Sequence, residues 1–173
     1  MTTYPIHTVE TVPELAALER AFGFVPSAAG AMANSGALLK TFLAAFGQLR
    51  AADSLTAGER QVLLLTNAVA NECGWAVAFH TLEALHDGVA AEEVHAIRAG
   101  KMPADPRLAA LSGLARALIG KRGRVDAQDT AGLDGGLVLD VVLAVAISTM
   151  TNYTASVAEV AVQEQFSEYT WAV

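Results

Sequence analysis

Two side chains in this chain of 173 residues could do chemistry together: Cys73, its sole cysteine, and His80. They lie in the run Asn71-Glu72-Cys73-Gly74-Trp75-Ala76-Val77-Ala78-Phe79-His80-Thr81. On a helix, positions 73, 76, 77 and 80 share one face. Such a face can gather a thiol, a small pocket and an imidazole. A thiol near a helix start is acidified by the helix dipole, so Cys73 is expected to lean toward thiolate. An imidazole titrates near neutral pH, which makes His80 a candidate general acid or base. Glu59, Glu72 and Glu83 are its candidate carboxylate partners. Spacing limits the pair, because two turns separate Cys73 from His80 by about 10 Å along the axis. Direct cooperation needs about 3 Å. Trp75 is a candidate pocket wall. His80 and His86 fall on poorly matched faces, so no metal site is expected.

The elements that must hold these groups are helices. Apolar residues recur at helical spacing, and Gly and Pro fall between helical windows. Helices are predicted over residues 13–22, 31–49, 57–70, 73–86, 91–99, 107–119 and 136–159, with a short one between Asp126 and Gly132. Thr56-Ala57-Gly58-Glu59 is a capping box. The helix it opens is apolar nearly all round, through Val62, Leu63, Leu64, Leu65 and Val69, and should be buried. Asn152 interrupts an apolar helix and needs polar partners if buried. The tail from Gln163 carries Phe166, Tyr169 and Trp171 and is expected to pack on a neighbouring subunit.

Composition sets the class. Hydrophobic residues make up 53%, charged residues 17% and aromatics 6%. That suits a core of Ala, Leu and Val between helices. The apolar run 137–150 is short, and Asp140 and Ser148 interrupt it, so no membrane span is expected. The apolar excess is instead expected to be covered by a second subunit. A net charge of −7 with no basic stripe argues against nucleic acid. The start of the chain does not look like a signal peptide, and one cysteine permits no intrachain disulfide. The expected compartment is the cytoplasm.

The motif run, with Glu59-Arg60-Gln61-Val62-Leu63-Leu64-Leu65 before it and Ala96-Ile97-Arg98-Ala99-Gly100, Asp105-Pro106-Arg107-Leu108 and Asn152-Tyr153 after it, resembles the carboxymuconolactone decarboxylase and alkylhydroperoxidase D-like family. That resemblance covers roughly residues 51–166 and implies an all-α, oligomeric fold. It sets residues 1–50 as an added helical layer of the same unit and 167–173 as a tail. It implies a peroxidase-type oxidoreductase, a homo-oligomer (dimer, trimer or hexamer), catalytic positions at Cys73, His80 and Gln61, and no bound cofactor. Ala76 stands where the family carries its second cysteine, and Gln61 where it carries a proton-relay glutamate. A dithiol cycle is therefore excluded. Three readings stay open: single-thiol peroxide chemistry rescued by an external thiol; thiol-free acid/base chemistry at His80, of lactone or decarboxylase type; and a non-enzymatic ligand-binding oligomer. The expected pocket holds Trp75, Ala76 and Glu72 beside the catalytic three.

Overall fold

A computed structural model describes residues 3–172. Met1 and Thr2 of the start, and Val173 of the tail, lie outside the described residues. Among the described residues there is no strand. A 3-10 turn, Pro13–Leu15, leads into α1 (Ala16–Phe22), α2 (Ser27–Met32), α3 (Gly36–Ala51), α4 (Ala57–Ala70), α5 (Gly74–His86), α6 (Ala91–Arg98), α7 (Pro106–Gly120) and α8 (Gly135–Val157). A 3-10 helix, Glu164–Tyr169, closes the fold. The all-α expectation is met.

Helix α4 sits between two hydrophobic clusters, which explains why it is apolar nearly all round. Leu63 and Leu64 join Leu15, Phe42, Leu111 and Val141 in one. Val62, Leu65 and Ala68 join Trp75, Phe79, Ile97 and Phe166 in the other. Burying one such large apolar side chain stabilises the fold by roughly 1.5–3 kcal/mol. Helix α8 packs against α2, α3, α4, α5 and α7. At 23 residues it is longer than the run read from the sequence, and by length and composition alone it is apolar enough to cross a membrane. In this fold it is a central helix of the bundle. Leu139, Val142, Tyr153 and Val157 remain exposed along one of its sides.

Three expectations need correction. The helix predicted over 31–49 is two helices. Ser35 caps α3 by accepting the Leu38 N–H at 3.3 Å. The Asn34 amide donates to the carbonyls of Ala31 and Pro5 at 2.8 Å each, which holds the break open. No helix forms after Asp126, whose carboxylate accepts the N–H groups of Gln128 and Asp129 and makes a turn instead. The tail packs on its own chain. Phe166 is fully buried against Trp75, Phe79 and Phe24. The Arg98 guanidinium donates to Thr81 Oγ1 and to the carbonyls of Tyr169 and Thr170. The Trp171 indole returns a bond to the Arg98 carbonyl at 3.1 Å.

Candidate functional site

The site is built on the α4–α5 hairpin. Both halves of the predicted capping box form: Thr56 Oγ1 accepts the Glu59 N–H, and Glu59 Oε2 accepts the Thr56 N–H. Glu59 Oε1 also accepts from Arg107 at 2.8 Å, so this carboxylate is engaged away from His80. At the other end of α4 the Cys73 N–H reaches the Ala68 carbonyl at 3.0 Å, and the Glu72 N–H reaches that of Val69 at 3.1 Å. These two bonds are the Schellman pair that closes a helix. The position between them needs a left-handed backbone, and Glu72 occupies it at φ 52°. Glycine is the usual choice there. The side chain of Glu72 is exposed, so the structure does not bring it into the pocket expected of it.

The hairpin sets Gln61 opposite His80. Gln61 Oε1 lies 3.1 Å from His80 Nδ1, and Gln61 Nε2 donates to Asp87 Oδ2 at 3.2 Å. This chain of three fixes the imidazole. The Asp87 carboxylate only accepts, so the amide nitrogen must face it and the amide oxygen must face His80. His80 Nδ1 then carries the proton. Burial pushes the His80 pKa down to about 3, so the ring is neutral and its Nε2 holds a bare lone pair. No described residue bonds that nitrogen, and it is not among the sealed polar atoms without partners. Asp87 therefore takes the orienting place for which Glu59, Glu72 and Glu83 were candidates. Glu83 lies in a neighbouring cavity, where burial and the Asp87 charge raise its pKa.

His80 and Gln61 border an apolar cavity of about 40 Å³. Trp75 and Phe79 of α5 form one wall. Phe22 of α1, Met32 of α2, Phe42 and Phe46 of α3, and Ile147 and Thr151 of α8 are among the others that line it. The Trp75 indole is held by Ser27 Oγ at 3.0 Å, and the Ser27 N–H donates to the Gln163 side chain at 2.7 Å.

Cys73 and Ala76 are buried in the second cluster, outside the lining of this cavity. Burial raises the Cys73 pKa. The N–H groups of Ala76 and Trp75 and the Ser156 hydroxyl pull the other way and do not offset it. The acidified thiol expected from the helix dipole is thus corrected: at this helix start, loss of solvent outweighs the dipole. Among the described residues no three His, Cys, Asp or Glu side chains gather to hold a metal ion.

Residues 36–117 match the model of the carboxymuconolactone decarboxylase family. Over this stretch the chain is similar to that family. Two solved structures share its fold. One is a variant of the debrominase Bmp8 in complex with 2,3,4-tribromopyrrole, with a TM-score of 0.82 at 13% identity over 98% of this chain and 95% of that one. The other is an alkylhydroperoxidase AhpD core, an uncharacterized peroxidase-related protein from Ralstonia eutropha JMP134, with a TM-score of 0.77 at 21% identity over 94% and 93%. No curated protein sequence matches the chain.

The carboxymuconolactone decarboxylase stretch holds Gln61, Cys73, Ala76, His80 and Asp87, but only part of the cavity. Phe22, Met32, Ile147 and Thr151 lie outside it. Sequence reasoning missed Asp87 and these walls. Asp87 had a signal: it follows His80 by seven residues, two turns along the same side. The walls carried none, because their contacts join α1, α2 and α8 to distant parts of the chain.

Proposed function

We propose that this protein, similar to the carboxymuconolactone decarboxylase family and alkylhydroperoxidase-like in fold, works through His80 rather than through Cys73. A small, largely apolar molecule enters the cavity, and the neutral imidazole accepts a proton from it in acid/base chemistry on an uncharged ring of lactone type. No thiol redox cycle takes part. The observation that carries this reading is the 3.1 Å contact between Gln61 and His80 at the cavity edge, with the thiol in a different compartment. The debrominase of like fold was crystallised with a small halogenated ring, which supports a small apolar substrate.

The test compares His80→Ala with Cys73→Ala across small lactones, and across hydroperoxides supplied with an external thiol. Loss of a general base costs about 10²–10⁴-fold in rate. His80→Ala is expected to show that loss, with Cys73→Ala close to wild type. Loss on Cys73→Ala alone would restore the single-thiol peroxidase reading. A second reading has its own support: a pKa of about 3 makes the empty-site imidazole a weak base, which suits binding without conversion. Ligand binding that His80→Ala removes, with no turnover in any protein, would identify it.

A further inference from the structure

The polar inventory of the cavity is one-sided. Both polar atoms of the Gln61 amide are engaged, by His80 and by Asp87. The Thr151 hydroxyl donates its proton to the Ile147 carbonyl at 3.1 Å, leaving only lone pairs. The Trp75 indole N–H is engaged by Ser27. What remains free is the Nε2 lone pair of His80, an acceptor, together with the lone pairs on Thr151 and the second N–H of the Gln61 amide, an uncharged donor. No Lys or Arg borders this cavity.

We infer that the cavity selects neutral, ring-sized apolar molecules carrying one N–H or O–H donor aimed at His80 Nε2, and rejects carboxylates. The inference rests on the reading of this cavity as the working site and names the class of molecule that it takes. A bound carboxylate would face the lone pairs of His80 and Thr151 with no cation and at most one amide N–H, too little to replace its hydration. A molecule with no donor would leave Nε2 dry and unpaired, which forfeits a buried hydrogen bond.

Size adds a second condition. An aromatic ring needs more than about 40 Å³: an engineered apolar cavity of about 150 Å³ binds benzene. A neighbouring cavity of about 160 Å³ lies across a partition of Phe22, Phe46, Gln61 and Leu64. Gln61 is fixed by its two hydrogen bonds, so the two phenyl rings are the movable part. A ring-sized ligand therefore needs these phenyl rings to turn toward the larger cavity, which is lined by Arg50, Arg60, Glu83 and His86.

The experiment measures binding to the wild-type chain by calorimetry for two matched pairs, phenol against anisole and pyrrole against N-methylpyrrole, and for benzoate. One buried hydrogen bond predicts that each donor binds about tenfold more tightly than its methylated partner. The ratio should fall to near one in His80→Leu and stay constant between pH of about 5 and 8, because the imidazole remains neutral. Imidazole ¹⁵N shifts of the wild-type protein give a readout that needs no variant: phenol should move Nε2 and leave Nδ1 in place. Equal binding within the pairs overturns the donor rule while leaving the cavity as a site. Tighter binding of benzoate than of phenol overturns the rejection of carboxylates. Failure of every probe to bind overturns the cavity reading itself.

Discussion

The start and the middle of α5 make opposite environments from one helix. At its start, Cys73 is buried in an apolar cluster with Val62, Leu65 and Val77. Its thiol meets Ser156 of α8; elsewhere in the interior Asn67 of α4 donates to Ser148 of α8 at 3.3 Å, and Thr66 of α4 pairs with Ser112 of α7 at 3.0 Å. Asn152, one turn from both Ser148 and Ser156, is buried with neither amide atom bonded among the described residues. Two turns along, His80 enters a region that is apolar and hollow. The comparison teaches that reactivity here follows open volume more than polarity. A thiol packed among apolar side chains, with the one hydroxyl of Ser156 against it, is held toward its protonated form by burial. An imidazole among phenyl rings keeps one nitrogen free to meet a visitor.

The largest blow to this division falls on the wall between its halves. Trp75 and Phe79 face the cavity and rest with their other sides on Phe166. Truncating a fully buried phenylalanine costs about 3–5 kcal/mol. Phe166→Ala is expected to lose that much in urea unfolding and to weaken ligand binding with it. A loss below about 1 kcal/mol would mean that the tail does not hold the wall.

Next comes the imidazole. The ordinary histidine pKa is 6.5, and His80 in the folded chain is at about 3. Between these values the unfolded chain takes a proton that the folded one refuses. The stability contributed by neutral His80 is therefore complete above pH 6.5 and is lost as pH falls toward 3. The slope within that window is about 1.4 kcal/mol per pH unit. Urea unfolding of wild type from pH about 4 to 7 should show it, and His80→Gln should lack that part of the slope. Parallel curves for the two proteins would place His80 in water rather than in the cavity wall.

How much of this was legible in the residues differs between the halves. The capping box, the hairpin of α4 and α5 and the motif run were readable because their signals are local. The Trp75 wall was readable from side-chain type. Glu72 misled because a charged residue at a helix end looks like chemistry, while here it completes a turn that glycine usually fills. Gln61 looked like a loss, a carboxylate replaced by an amide. In the fold the amide does what a carboxylate cannot: it donates to Asp87 and accepts from His80 at once. The tail misled because its aromatics suggested an interface, and the groove that receives them exists only once α5 and α6 have packed. Nothing in sequence spacing reports which side of a helix stays hollow.

The smallest effect tests the closed start of α5. A buried thiol with a raised pKa is a poor nucleophile, since thiolate is the reacting form. At pH about 8, Cys73 should react with an aromatic disulfide reagent at least about tenfold more slowly than free cysteine. Full reactivity should return in denaturant, which separates slow chemistry from a thiol lost to oxidation. Adding a ring-sized ligand should leave the native rate unchanged, because the ligand chamber and the sulfur do not share a compartment. A rate that ligand slows would join the two halves: Trp75 and Phe79 would then transmit occupancy of the chamber to the helix start, and the division between the closed start and the open middle of α5 would fail.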